Sequence, residues 1–310
     1  MAMTSPFGPM AVIVNPASGR GKVGTQLSAV EAALRDSDLV YRIVRTSGPG
    51  DATRAARDAL ETGDRFVVAV GGDGTVHEVV NGMMKDGRAA ADDAVLGVIA
   101  AGSGCDFVKT FGLPGDAVQA TTHLGGSNTM PIDVGKVVYT QQGGLQAERY
   151  FPNIAEVGLG GAVVARAARL PRFLGPSRYF FSFWLTLPGF KRTRLRVVAG
   201  AKKVFEGSAH NVVVANCQYY GGGMKISPRS WPTDGVLDAL VFKGPKSDSF
   251  TILPKVYRGE HLPHPNIVEF RSRTVQVEAE RPLRIEADGE ILGWTPATFE
   301  VVPHALTLKV

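Results

Sequence analysis

The hydrophobic pattern of the first 130 or so residues is a series of short apolar runs separated by amphipathic segments. The runs at 11–14, 66–70 and 96–100 are continuous, as strands covered on both faces are. A further strand is predicted near 39–44. Between the strands, Val23, Leu27, Val30 and Leu34 mark one helix face, and an alanine-rich helix runs through Leu60. Val76, Val79, Val80 and Met83 fall at i, i+3, i+4 and i+7 of a third helix, which ends near Gly82. Alternation of strand and helix predicts a parallel α/β sheet with its loops gathered at the strand C-termini. The turns at 15–22, 71–75 and 102–106 would then converge on one edge of that sheet.

From about Ile132 the texture changes. Short strand-like segments occur at 132–139, 150–155, 195–199, 211–216, 236–242, 274–279, 283–287 and 305–310, with one helix near 249–257. Val275, Val277 and Ala279 alternate with polar residues, as do Leu283, Ile285 and Ala287, which is the pattern of half-buried antiparallel strands. A chain of 310 residues can hold two domains. The reading is an α/β nucleotide-binding domain with a parallel sheet over 1–131 and an all-β sandwich domain over 132–310.

The turn Gly71-Gly72-Asp73-Gly74-Thr75 joins a buried strand to a helix, so backbone N–H groups and the positive helix end point into the loop. Phosphate suits such a loop, and the glycines allow close approach. A carboxylate at Asp73 would repel phosphate unless a cation such as Mg²⁺ intervenes or the group handles a proton. The alternative is a plain glycine turn with a helix-starting aspartate. Asn15-Pro16-Ala17-Ser18-Gly19-Arg20-Gly21-Lys22 is a second phosphate-friendly turn. No Gly-x-x-x-x-Gly-Lys-Ser/Thr loop occurs.

Composition narrows the class. With 44% hydrophobic and 20% charged residues the chain is globular. Cys105 and Cys217 form no disulfide framework and no metal-ligand spacing, which favours a reducing compartment. Residues 1–10 do not read as a signal peptide, and no apolar run approaches the ~20 residues of a membrane span, so a cytoplasmic location is expected. The net charge of +5 is unevenly spread. Between Glu156 and Glu206 there are ten basic residues and no acidic one, which leaves 24 basic against 29 acidic residues elsewhere. Such a segment suits an anionic surface.

Taken together and in order, Asn15-Pro16-x-Ser18-Gly19, Gly71-Gly72-Asp73-Gly74-Thr75 with Asn81-Gly82, residues 102–107, Ile132-Asp133-Val134-Gly135, Asp234-Gly235-x-Leu237-Asp238 and Asp288-Gly289-Glu290 resemble the diacylglycerol kinase catalytic family. The bacterial soluble lipid kinases are the nearest resemblance. It implies an ATP-dependent kinase acting on a lipid hydroxyl, diacylglycerol first. Alternatives are a sphingoid-base or other lipid kinase, an NAD kinase, which shares the Gly-Gly-Asp-Gly-Thr loop, or an inert nucleotide- or lipid-binding module.

The resemblance also implies roles. Asn15, Pro16, Ala17, Ser18, Gly19, Thr46, Gly71, Gly72, Asp73, Gly74, Thr75, Val76, His77 and Ser103 would hold ATP. Ser103 and Cys105 stand where the family usually has threonine and asparagine. Asp106 and Asp234 would flank Arg20 in an inter-domain charge network, with Lys22 in reserve. Asp234, with the carbonyls of Trp231 and Val236, would hold a structural Mg²⁺. Without the resemblance, Asp234-Gly235 and Asp288-Gly289 both read as hairpin turns. Glu290 would be the general base, and Asp73 would bind or orient the Mg²⁺ bridging the β- and γ-phosphates.

Phe180, Phe181, Phe183, Trp184, Leu185 and Leu187 form an aromatic-rich cluster between Arg178 and the basic run ending at Arg196. Aromatic rings flanked by cations favour the interface of an anionic membrane, so peripheral membrane contact through 178–196 is expected. The alternative is a core helix with solvated basic ends. Nucleic acid is not an expected partner, and a homodimer is left open.

Overall fold

The computed structural model describes residues 5–37, 39–101, 105–171, 174–175, 177–201 and 203–310, without the side chains of Arg20 and Lys203. The chain forms two compact units, 1–134 with 302–310, and 135–301.

The first unit alternates β1 (Met10–Val14), α1 (Lys22–Asp36), β2 (Tyr41–Arg45), α2 (Asp51–Glu61), β3 (Phe66–Gly71) and α3 (Asp73–Met83). A small hairpin, β4 (Met84–Lys85) and β5 (Arg88–Ala89), leads to β6 (Val95–Ala100) and the short α4 (Asp106–Thr110). β7 (Thr129–Thr140) leaves the unit. The strand order is β2-β1-β3-β6, and every pairing is parallel. All residues of β1, β3 and β6 are buried, which is why their sequences carry no polar alternation. Val23, Leu27, Val30 and Leu34 of α1 are buried against this sheet. Gly82 belongs to packing: a Cβ there would meet the Thr53 carbonyl oxygen at 2.3 Å and the Ala56 methyl at 2.7 Å.

The second unit contains β8 (Gln146–Phe151), β9 (Ile154–Gly158), α5 (Leu159–Ala167), α6 (Ser177–Thr186), β10 (Thr193–Ala199), β11 (Lys203–Ala209), β12 (Asn211–Ala215), β13 (Leu237–Phe242), α7 (Asp248–Val256), β14 (Ile267–Ser272), β15 (Thr274–Ala279), β16 (Arg284–Ala287) and most of β17 (Glu290–Lys309). One antiparallel run is β14-β13-β12-β9-β16-β17. Further along, β17 pairs with β15, which pairs with β10 and then β11. Val157, Val212 and Ile285 from the first run share one buried cluster with Val197, Val277 and Phe299 from the second, as in a β-sandwich.

Two boundaries differ from the sequence reading. The break comes at 134/135 rather than near 131, because β7 runs through the expected hinge. Residues 302–310 belong to the α/β unit, not to the sandwich. Thr307 and Leu308 pair in parallel with Val95 and Leu96 of β6, and Asp133 Oδ1 accepts the His304 N–H at 2.8 Å. An apolar strand sequence does not reveal which sheet it joins.

Candidate active site

β1 lies between β2 and β3, so the crossovers from β1 to β2 and from β2 to β3 run in opposite directions along the sheet. The turns after β1 and β3 therefore part at a topological switch point, where open α/β sheets bind ligands. The two turns are joined there. The Gly72 N–H donates to Ser18 Oγ at 3.0 Å, and Asn15 Oδ1 accepts the Ala17 N–H at 3.1 Å. The Asn15 N–H reaches the Val70 carbonyl and the Thr46 N–H the Val14 carbonyl. Asn15, Pro16, Ala17, Ser18, Gly19, Thr46, Gly71, Gly72, Gly74 and Thr75 thus lie in segments at the C-terminal ends of neighbouring strands.

Gly71 leaves room for Thr75: a Cβ at 71 would lie 2.3 Å from Thr75 Oγ1. That hydroxyl is buried and has no hydrogen-bond partner among the described residues, which suits a ligand-facing donor. Val76 and His77 are buried in α3, so the imidazole is not the surface group a helix-start histidine suggests. Ser18→Ala is expected to cost about 1 kcal/mol, since it strips the Gly72 N–H of its acceptor. It should also raise KM for nucleotide several-fold, as read by thermal unfolding and steady-state kinetics.

Asp73 ties β3 to the segment after β6. Its Oδ2 accepts the Asp106 N–H and its Oδ1 the Phe107 N–H, both at 3.0 Å, while the Cys105 thiol donates to Oδ1 at 3.7 Å. Asp73 therefore caps α4, the segment that contains the Cys105 departure. Burial, with the Asp73 charge beside it, pushes the Cys105 thiol well above its ordinary pKa and keeps it a neutral donor. Asp106 is buried and pairs with Lys109 Nζ at 2.6 Å. Ser103, with Gly102 and Gly104, lies outside the described residues, as does the Arg20 side chain.

Glu78 escaped the sequence reading. Its carboxylate accepts the Gly50 and Ala52 N–H groups at 2.9 and 3.0 Å and so holds the start of α2. An acidic residue inside an apolar helix was its only signal. Asp51 accepts from the Ser47 hydroxyl, then the Ser47 and Gly48 backbone, and these bonds lower its pKa.

In the second unit, Ala287 pairs with Glu290 across a two-residue turn whose Asp288 and Gly289 have φ of 50° and 87°. This is the geometry of a type I′ hairpin. Asp288 anchors it, accepting the Ile154 N–H at 2.9 Å and donating its own N–H to the Ile154 carbonyl at 2.9 Å. Glu290 is exposed at the first position of β17. Local turn chemistry and a functional display therefore coincide.

Asp234 makes a different kind of turn. Its Oδ1 accepts the Val236 N–H at 3.1 Å, and its Oδ2 is paired with Arg271, which also reaches Asp238 at 3.2 Å. The Trp231 carbonyl accepts the Thr233 and Asp234 N–H groups. In the structure a guanidinium balances the Asp234 carboxylate and the Trp231 carbonyl serves the turn. Among the described residues, no group of three or more His, Cys, Asp or Glu is placed to hold a metal.

Residues 9–137 match the family described as diacylglycerol kinase catalytic domain, and residues 153–310 the YegS C-terminal NAD kinase beta sandwich-like domain. A Bacillus subtilis protein named diacylglycerol kinase is 30% identical over 292 residues, covering 93% of this chain and 91% of that one. The chain belongs to the diacylglycerol kinase family. A Staphylococcus haemolyticus protein of the same name is 28% identical over 290 residues, 93% of this chain and 84% of that one. Membership of this kinase family makes the protein an enzyme. The solved structure of a Bacillus anthracis diacylglycerol kinase is 24% identical with a TM-score of 0.71, covering 98% of this chain and 97% of that one. A yeast NADH kinase solved with NADH is 11% identical with a TM-score of 0.50, over 96% and 78%. The diacylglycerol kinase fold, an α/β domain and a sandwich akin to NAD kinases, is the one described above.

Proposed function

We propose that the protein transfers the γ-phosphate of ATP to a lipid hydroxyl, diacylglycerol being the first candidate. The observation that carries this reading is the anchored Asp288-Gly289-Glu290 hairpin, which exposes one carboxylate at a pinned backbone position. Diacylglycerol kinase names among full-length relatives supply the substrate class.

In this reading the nucleotide substrate, as its magnesium complex, lies on the Asn15–Gly19 and Gly71–Thr75 turns. The Gly72 region and the Thr75 hydroxyl bind phosphate oxygens. Asp73 shapes that loop through its cap on α4. Glu290 accepts the proton of the lipid hydroxyl as the oxygen attacks the γ-phosphorus, a role worth roughly 10²–10⁴-fold in rate. An NAD kinase reading has the Gly71–Thr75 loop and a fold likeness at 11% identity behind it. Transfer of labelled phosphate from ATP, offered against diacylglycerol, a sphingoid base and NAD, tests the proposal; phosphorylated NAD as sole product would overturn it.

Features of the second unit support a lipid. α6 turns Ser182 and Thr186 inward and leaves Phe180, Phe181 and Leu185 exposed, the reverse of a core helix. The rings of Phe181, Phe180, Trp184 and, from α7, Phe250 follow one another at 4.9–6.3 Å. A cavity lined by Leu159, Val213, Met224, Ile252 and Val256 is apolar on one side and carries His210, Asn211, Tyr220, Asp248, Ser249 and Asn266 as its polar groups. We take the aromatic chain and its flanking cations as the membrane-facing surface. Not all the basic charge is available, since Arg196 pairs with Glu206 and Glu278 from neighbouring strands. Binding to anionic vesicles is expected to weaken as salt rises, and Phe180→Ser with Phe250→Ser to weaken it at every salt concentration. Co-sedimentation measures both.

A further inference from the structure

Glu156 of β9 and Glu286 of β16 stand directly opposite each other in an antiparallel register, and both are almost wholly buried. Two carboxyls this close cannot both ionise in an apolar interior. Their side chains hydrogen-bond to each other, and among the described residues no cation pairs with either. The pocket around them is built for a carboxyl. Asn211 Nδ2 donates to Glu156 Oε1 at 2.6 Å and the Tyr220 hydroxyl at 3.4 Å, and the Gly160 N–H braces Asn211 Oδ1 at 3.0 Å. Gly160 is required there, since a Cβ would lie 2.1 Å from Glu156 Oε2. On its other side, Glu286 Oε2 accepts the Gly289 N–H at 2.8 Å, one residue from Glu290.

We propose that Glu156 and Glu286 share one proton, and that this shared proton holds the Asp288-Gly289-Glu290 hairpin in its working position, making Glu286 a positioning residue for Glu290. The inference rests on the assignment of Glu290 as base. With one proton between them, the carboxyls attract through a hydrogen bond, and Glu286 keeps an oxygen turned to the Gly289 N–H. Without it, two negative charges repel across adjacent strands, and the hairpin loses its support from below. Other ionisable groups facing the pair are Tyr220, with Tyr257 behind it, and Asp288 on the hairpin. Each raises the cost of a second negative charge, and none neutralises it.

Burial pushes the Glu156 carboxyl up to about 7, and burial with the Glu156 charge holds Glu286 well above the ordinary glutamate value. Both groups bind protons more tightly folded than unfolded. Their contribution to stability is therefore complete below the ordinary glutamate value of 4.5 and is lost as pH rises through about 7 and beyond.

The test follows the wild-type protein by NMR, with ¹³C-labelled glutamate carboxyls and the ¹⁵N amide of Gly289 observed across pH. The pair should lose its first proton near neutrality, leaving one shared between the carboxyls, and its second only at higher pH, and the Gly289 amide shift should track that second step. Independent titration of both carboxyls in the ordinary acid range, or a Gly289 amide blind to the step, overturns the proposal whether or not a kinase substrate has been found. Kinetics give a second reading. Glu156→Gln and Glu286→Gln each replace the shared proton with a fixed amide donor, and each should move the alkaline limb of the kcat–pH profile up by at least one unit without changing KM for ATP. Folded variants with profiles superimposable on wild type would also overturn it. Failure of Glu290→Gln to lose turnover would instead remove the base assignment and leave the shared proton standing.

Discussion

Glu290→Gln is expected to lower kcat roughly 10²–10⁴-fold while nucleotide affinity and melting temperature stay near wild type. The substitution is nearly isosteric. The hairpin is held by Asp288 on Ile154 and by the Gly289 N–H on Glu286, so neither anchor passes through the Glu290 side chain. The exposed carboxylate has no part in the core, and the amide that replaces it cannot take a proton from an attacking hydroxyl. A loss confined to kcat and carried equally into kcat/KM for the lipid would mark an interaction made only in the transition state. Steady-state phosphate transfer, calorimetric nucleotide binding and thermal unfolding together check it. Near-wild-type turnover would take the proton-accepting role away from Glu290.

Most of the α/β unit was legible because its strands are buried on both faces. Continuous apolar runs such as 66–70 and helix stripes such as Val23 to Leu34 have only one stable arrangement in a parallel sheet. The sandwich was less legible. The strand expected over 150–155 is broken between β8 and β9, and α5 begins immediately after β9 in a glycine-rich stretch with no recognisable start signal. β11 and β14 carry charges on their open faces and dilute the apolar alternation, and neither was anticipated. Glu286 illustrates the limit most clearly. Alternation of Leu283, Ile285 and Ala287 places it on a solvent face, yet α5 packs across β9 and β16 and covers that face. A charge inside a strand declares itself only when its cross-strand partner is known. The candidate site divides in the same way: turn residues showed in the sequence, whereas Glu78, Glu156 and Asn211, which act through distant backbone or side chains, did not.

Asp73 separates two physical pictures of the nucleotide loop. If its carboxylate served only to coordinate a cation, Asp73→Asn would depress kcat and leave the fold untouched. The geometry gives it a structural duty as well, since three donors from residues 105–107 converge on its two oxygens. Asp73→Ala would remove the carboxylate on which the Asp106 and Phe107 N–H groups converge. Two such part-buried donors, charge-assisted in the wild type, correspond to about 2–4 kcal/mol of stability. Asp73→Asn keeps one oxygen but turns an amide N–H₂ toward a backbone N–H, so it recovers only part of that loss. Both variants should therefore melt earlier than wild type, alanine earliest, and both should lose nucleotide affinity by at least ten-fold as α4 detaches from the end of β3. Thermal unfolding and amide exchange at residues 105–107 read the cap directly, and nucleotide titration reads the loop. An Asp73→Asn protein with unchanged melting temperature, unchanged protection at 105–107 and a collapsed kcat would show that the carboxylate's work is done on the nucleotide side alone.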